Sequence, residues 1–251
     1  MATDLGAANG MYVYAVVEKQ GPADYGDIGI DGAPIVRVVH GDLAALASTT
    51  SHSRIRPERR HLAAHNAVLK RALEEPAVLP MAFGLIADSQ TALMDLLATN
   101  RKVLREQLAR VAGRVEMGLR VHYEVPNVFE YFVNTRPELR EARDAIGDVR
   151  QARHADLLQL GQFFERTLNE ERELRFEQVQ QVLARHGIEI KRNAARSERE
   201  VLNLACLLPR PLQAQFEGIV GEAAAAFDNH FVFDINGPWA PHNFVELNLK
   251  L

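Results

Sequence analysis

Two histidines have the spacing of metal ligands on a helix. His61 and His65 lie four residues apart in a segment with helical periodicity, so both imidazoles would project from the same side of the helix. A zinc protease of this type places a glutamate directly after the first histidine, and Leu62 occupies that position here. His65 also shares an apolar stripe with Leu62 and Leu69. This pattern favours a hydrogen-bonded core histidine over a ligand, and we expect no metal site.

Other groups that could do chemistry lack the setting that the chemistry needs. The glycines of residues 26–32 (GDIGIDG) are flanked by acidic residues and precede no helix N-terminus that could hold a phosphate. The carboxylate pairs Glu74–Glu75 and Glu170–Glu171 lie in helix ends or charged stretches, where a solvated surface is the default. Ser48 and Ser51 are outside any Gly-x-Ser-x-Gly sequence. We therefore predict no catalytic residue and no cofactor.

The composition excludes several classes of partner and location. A formal net charge of -4 and a pI of about 6.2 indicate no basic surface for nucleic acid. No apolar run approaches the roughly 20 residues of a membrane-spanning helix, and residues 1–10 lack the features of a secretory signal. The one cysteine, Cys206, lies in the apolar run 201–208, which indicates a buried thiol. We expect a cytoplasmic protein with neither a nucleic acid nor a membrane partner.

Periodicity in the N-terminal half predicts a small mixed sheet with helices. Residues 11–18 (MYVYAVVE) are apolar on both faces, which is typical of a central strand. Pro80 and Gly84 interrupt the apolar stretch 77–87 and predict a bent strand. The other predicted elements are strands at 35–39 and 43–47, a helix that starts at Pro57 and stops at 74–76, and one long helix from Asp88 or Ser89 to Gly113.

The C-terminal half predicts a split βαβ, or ferredoxin-like, arrangement. Its predicted elements are a strand at 115–125, a partly helical insertion at 129–147, a long helix at 152–186, strands at 188–192 and 200–208, a helix at 212–227 and a strand at 230–235. The apolar phase slips within the long helix, so we expect a kink or break at 169–173. The fold class is α+β, with an N-terminal domain at 1–113 and a C-terminal domain at 114–251.

Several segments resemble, in the same order, the gas vesicle protein F/L family (GvpF/GvpL). They are MYVYAVVE at 11–18, HGDLAALAS at 40–48, HLAAHNAVLKRAL at 61–73, VLPMAFG at 78–84, REVLNLACLLPR at 199–210 and FDINGPWAPHNF at 233–244. The last is similar to the closing Gly-Pro-Trp-Pro-Pro-Tyr-Asn-Phe motif of the family, with Ala240 and His242 in place of a proline and the tyrosine. The positions that carry the family motif are Gly41, Asp42, His65, Pro80, Phe83, Gly84, Gly237, Pro238, Trp239, Pro241, Asn243 and Phe244.

The resemblance implies an accessory or minor structural protein of the gas vesicle, without a reaction or a cofactor. Its implied partner is the very hydrophobic major shell protein, GvpA, which it would keep from aggregating during assembly, with other gas vesicle accessory proteins as further partners. The gas vesicle is the implied location. The alternatives are a small-molecule sensor on a ferredoxin-like fold and an enzyme of the heme or monooxygenase kind.

Two expectations concern the C-terminal end. We expect Gly237 to make a turn, and Trp239 to bury its ring against a sheet or the domain junction. In the tail 244–251 (FVELNLKL), Val245, Leu247, Leu249 and Leu251 alternate with polar residues, as in a strand with one buried face. The tail should pair with an edge strand or cover an apolar groove between the domains. The alternative is that these aliphatic residues form the surface offered to a partner.

Overall fold

The computed structural model describes residues 10–21, 24–147 and 152–250. These residues form a mixed α+β fold with two sheets, as the periodicity predicts. They divide into two compact units. Unit 1 takes the described residues of Met1–Glu116, Leu207–Gln213 and Gly237–Leu251, and unit 2 takes those of Met117–Cys206 and Ala214–Asn236. The division into domains 1–113 and 114–251 stays a prediction.

The first sheet is built around β1. Its strands are β1 (Gly10–Glu18), β2 (Val36–His40), β3 (Leu43–Thr50), β4 (Val78–Pro80) and β5 (Ile86–Ala87). They run in the order β2-β3-β1-β4, and β5 also pairs with β1. All of these pairs are antiparallel, so the expectation of a mixed sheet is wrong. Residues 11–17 of β1 are all buried, which confirms the prediction of a central strand covered on both faces. The predicted bend in 77–87 is present as the gap between β4 and β5, where Gly84 has a φ of +94°.

Three helices belong to unit 1: α1 (Arg59–Ala72), α2 (Gln90–Thr99) and α3 (Arg101–Val111). Ser89 caps α2 by accepting a hydrogen bond from the Ala92 N–H at 3.1 Å. The single long helix expected from 88 to 113 is wrong, because Asn100 separates α2 from α3. The Asn100 side chain donates to the Leu96 carbonyl at 2.8 Å, and such local bonds let asparagine compete with the regular helix ladder.

The second sheet has the strand order β7-β8-β6-β9. Its strands are β6 (Arg114–Tyr123), β7 (Glu189–Arg192), β8 (Glu200–Pro209) and β9 (Phe231–Trp239). The helices between them are α4 (Val128–Thr135), α5 (Pro137–Ile146), α6 (His154–Arg185) and α7 (Phe216–Ala224). Cys206 is fully buried in β8, as its apolar neighbours predict.

Helix α6 continues without a break through residues 169–173, so the predicted break is wrong. The charged residues in that stretch make specific contacts. Glu171 is buried and forms ion pairs with Arg136 and, one helical turn away, Arg175. The Arg172 guanidinium donates to the backbone carbonyls of Ser197 and Glu200. The polar residues that shift the apolar phase therefore bind the helix to its surroundings within unit 2.

Candidate functional site

The family motif in the N-terminal half forms a buried cluster of aromatic rings. The ring of His65 lies 5.8 Å from that of Tyr12 and 5.6 Å from that of Phe83. The rings of Tyr12 and Phe83 are 6.0 Å apart. Tyr14 completes the cluster at 4.8 Å from Tyr12. Strand β1, helix α1 and the β4–β5 loop thus each contribute at least one ring, and edge-on packing of such rings stabilises the contact between the elements.

Hydrogen bonds join His65 to the elements around it. The Gly84 N–H donates to the Tyr12 hydroxyl at 3.1 Å, and the same hydroxyl oxygen lies 2.9 Å from His65 Nδ1. The Met81 backbone is a further hydrogen-bond partner of His65. These contacts join α1 to β1 and to the β4–β5 loop.

Burial keeps His65 neutral. Loss of solvation on burial, assisted by the neighbouring His242, lowers the pKa of His65 from 6.5 to about 4. Burial also raises the pKa of Tyr12 to about 12. An imidazole with this pKa stays neutral near pH 7, and its Nδ1 is in hydrogen-bond contact with the Tyr12 hydroxyl. The interpretation of His65 as a core histidine is consistent with this geometry.

His61 does not join His65 in a metal site. His61 Nδ1 contacts the Arg56 carbonyl at 2.9 Å, and its Nε2 lies 3.4 Å from a carboxylate oxygen of Asp31. Within the described ranges, no group of three or more His, Cys, Asp or Glu residues is arranged to hold a metal ion. The expected apolar stripe also needs correction at one position. Leu62 is 38% exposed, whereas His61 is buried.

The Gly41–Asp42 pair makes the turn between β2 and β3, and the carboxylate of Asp42 binds two arginines. Gly41 has a φ of +62°, which glycine adopts without strain. The Asp42 carboxylate accepts both bonds of a bidentate contact from Arg101, at 2.8 and 3.0 Å, and also pairs with Arg105. Bonding to Arg101 lowers the pKa of Asp42 below its ordinary value. This motif position thus links the β2–β3 turn to α3.

The closing motif folds back onto unit 1 around a buried carboxylate. Asn243 gives Glu116 two hydrogen bonds, from its backbone N–H at 2.9 Å and from Nδ2 at 2.6 Å. Glu116 is 5% exposed, so these donors compensate for its loss of water. Phe244 and Pro241 are buried beside this contact. A cleft of about 170 Å³ lies next to it, lined by α1 residues and by residues 238–243.

Trp239 does not bury its ring, which contradicts the sequence expectation. Its side chain is 46% exposed at the end of β9 and lines the small cleft. Gly237 has a φ of +121° and a cis bond to Pro238. The large side chain buried by this motif is Phe244, which is 3% exposed. A lone tryptophan near prolines is weak evidence for burial, since tryptophan is often only partly covered.

The tail lies along unit 1, and its alternation is confirmed in its burial. Val245, Leu247 and Leu249 are partly buried against the hydrophobic core of that unit, whereas the polar residues between them are exposed. The predicted strand pairing is wrong, because the described residues 245–250 belong to neither helix nor strand. Leu251 lies outside the described residues.

A family model described as gas vesicle synthesis protein GvpL/GvpF matches residues 10–246. The chain belongs to the GvpL/GvpF family. The match includes both halves of the motif, which the structure places in unit 1 around His65 and around Glu116. The family is one of gas vesicle proteins and is not a known family of enzymes.

Relatives named gas vesicle protein F cover most of the chain. Gas vesicle protein F of a Streptomyces species is 28% identical over 238 residues, which are 94% of this chain and 99% of that protein. Gas vesicle protein F2 of Halobacterium salinarum is 25% identical over 245 residues, which are 95% and 93% of the two chains. The crystal structure of GvpF from Anabaena sp. PCC7120 has the same fold, with a TM-score of 0.83 at 22% identity over 96% of this chain and 99% of that one.

Sequence reasoning missed the residues that hold the GvpL/GvpF motif in place. In the sequence, Tyr12 is one of several apolar residues that predict a strand, and Glu116 is one charged residue within another predicted strand. Asn100 and Gln107, which bind the tail, were unremarkable polar residues of a helix. A glutamate at an inward position of a strand is the one pattern that indicates such a contact, since a buried carboxylate requires donors.

In the described part of the chain, no helix is both long and apolar enough to cross a bilayer.

Proposed function

We propose that this chain is an accessory protein of gas vesicle assembly that binds the shell protein GvpA and prevents its aggregation. The match of the GvpL/GvpF family model over residues 10–246 is the observation that supports a role in the gas vesicle. A shell subunit that faces gas must present an apolar surface, and that surface is an aggregation hazard until assembly is complete. A protein that covers the surface transiently would remove the hazard. Other gas vesicle accessory proteins are further proposed partners.

We also propose that the chain acts without a reaction, a cofactor or a metal. Polar residues of the motif are engaged by other residues of unit 1: His65 by Tyr12 and Met81, and Asn243 by Glu116. A heme enzyme would need a histidine nitrogen free to bind iron. His65 is the buried histidine that the motif supplies, its Nδ1 contacts the Tyr12 hydroxyl, and the Met81 backbone is a further partner. These contacts disfavour the heme alternative.

The fold of the C-terminal half is proposed to be ferredoxin-like. Its element order is strand, helices, strand, strand, helix and strand. In the sheet, β8 lies between β7 and β6, and β6 lies between β8 and β9. Each pair of strands joined by helices is thus separated by one intervening strand, which is the split βαβ arrangement. The division into domains 1–113 and 114–251 is part of this proposal.

The test of the function is suppression of shell protein aggregation. GvpA is diluted out of denaturant with an equimolar amount of the chain, and light scattering is followed over time. We expect reduced scattering and a complex of the two proteins in sedimentation. Serum albumin at equal mass is the control for nonspecific coating. Scattering equal to that with albumin, with no complex, would refute the proposal.

A further inference from the structure

The tail occupies an apolar groove as an extended segment would. Val245, Leu247 and Leu249 point toward the hydrophobic core of unit 1, which includes Leu97 of α2 and Leu104 of α3. The residues between them face solvent. An extended chain places alternate side chains on opposite sides, so this groove accepts one aliphatic side chain at every second position.

The hydrogen bonds that hold the tail are made to its backbone and not to its side chains. The side chain of Asn100 donates from Nδ2 to the Lys250 carbonyl and accepts at Oδ1 from the Lys250 N–H, both at 2.9 Å. Gln107 Oε1 accepts from the Glu246 N–H at 3.2 Å. Asn100 is 4% exposed, and its amide is oriented by a further bond to its own helix. Such contacts would be equally available to another extended chain.

A cleft adjoins the groove at Lys250. It has a volume of about 450 Å³ and is lined by Leu85, Ala87 and Leu96, among others. Two carboxylates, Asp88 and Asp95, line the same cleft. An extended segment that follows the path of residues 245–250 would bring its next residues to this cleft, where aliphatic groups would find apolar neighbours and a basic residue would be complemented by the acidic pair.

We propose that this groove is a docking site for an extended segment of the shell protein, and that the tail is its intramolecular competitor. The segment has aliphatic residues at alternate positions and a basic residue near the acidic end of the groove. This inference rests on the proposed function for the identity of the partner. A tethered tail competes at an effective concentration on the order of millimolar, so the shell segment docks only where it is abundant or binds better.

The first experiment tests the groove without the shell protein. A fluorescent peptide of residues 245–251 is titrated into a chain that ends at Phe244, which is kept because it is buried. We expect saturable binding to the shortened chain and at least about tenfold weaker binding to the full chain, whose groove is filled. A shortened chain that is folded by circular dichroism and does not bind the peptide would overturn the proposal.

Matched variants test whether the peptide binds in the groove. Asn100→Ala in the shortened chain should weaken peptide binding by about tenfold, the effect of losing hydrogen bonds to the backbone. Asn66→Ala is the control, since Asn66 is exposed on α1, and it should leave binding unchanged. A peptide with both Leu247→Ser and Leu249→Ser should not bind, whereas one with Glu246→Ser and Asn248→Ser should. Equal effects of the two asparagine changes would place the peptide elsewhere and refute the docking site.

If the shortened chain does not fold, the full chain with Leu247→Ser and Leu249→Ser replaces it. These changes weaken the seating of the tail and leave its length intact. The full chain with Glu246→Ser and Asn248→Ser is its control. We expect the peptide to bind the first variant at least about tenfold more tightly than the second. Equal affinities would overturn the proposal.

The second experiment brings in the shell protein. Tagged chains are co-expressed with GvpA, and the GvpA retained on the resin is measured before and after an excess of tail peptide. We expect more GvpA on the shortened chain than on the full chain, and its release by the peptide. Retention that the peptide does not reverse would refute the docking site while leaving the proposed function intact. Failure of every variant to retain GvpA would refute both the docking site and the proposed function.

A dimer of the full chain that dissociates on removal of the tail would identify a second copy of the chain as the occupant of the groove. That result would overturn the assignment to the shell protein.

Discussion

Acidification should destabilise the protein through His65. The unfolded chain binds a proton at His65 near the ordinary pKa of 6.5, whereas the folded chain binds it only at about 4. Between these values the unfolded state carries more protons, so the free energy of unfolding falls as the pH falls through this window. The gap between the two values corresponds to about 3 kcal/mol, lost in full only below the folded pKa. His65 is 4% exposed, so solvent screening does not reduce this figure appreciably.

The contribution is isolated by comparison with His65→Gln. Glutamine does not titrate, and its amide has both an acceptor and donors with which to replace the contacts of His65 with the Tyr12 hydroxyl and the Met81 backbone. Tyr12 and Tyr14 stay neutral in this range because burial raises the pKa of each. Carboxylates outside the cluster titrate in both proteins and cancel in the difference.

Urea unfolding followed by circular dichroism is measured from about pH 8 to about pH 4.5. The original chain should lose about 2.5 kcal/mol more than the variant over this range, most of it below about pH 6. Equal losses would mean that His65 titrates normally in the folded state. The argument from burial would then be wrong.

The remaining predictions concern stability and are checked by the same urea unfolding at neutral pH. Arg37→Met should cost about 3 to 5 kcal/mol, because it leaves the fully buried carboxylate of Glu75 without its ion-pair partner; a change under 1 kcal/mol would contradict the buried pair. Phe244→Ala should cost about 3 kcal/mol and Trp239→Ala less than about 1 kcal/mol, because only the phenylalanine is buried; the reverse order would restore the reading of Trp239 as a core residue. Gly84→Ala should cost about 1 to 2 kcal/mol through backbone strain alone, since its φ is +94° and space for a side chain is open; a neutral effect would show that the loop adjusts.

Much of the candidate site was within reach of the sequence, but its contacts were not. The motif residues and the inward position of His65 follow from spacing and from the resemblance to the family. The partners of that motif lie far along the chain: Tyr12 contacts His65 across 53 positions, and Glu116 binds Asn243 across 127. No local pattern encodes which distant group will satisfy a buried polar atom, because that depends on how the elements pack.

The sequence by itself determined the class of fold, the central strand β1 and the alternation of the tail. These are local properties, since side-chain periodicity follows from the geometry of a single segment. Tertiary structure decided which groups the apolar faces and the charged residues contact. The tail lies against Asn100 and Gln107 and not along a strand edge, and Trp239 stays exposed while Phe244 is buried. Helix α6 continues through its charged stretch, where Arg136 and Arg175 pair with Glu171. In each case the pattern specified a face or a charge, and only packing supplied the partner that faces it.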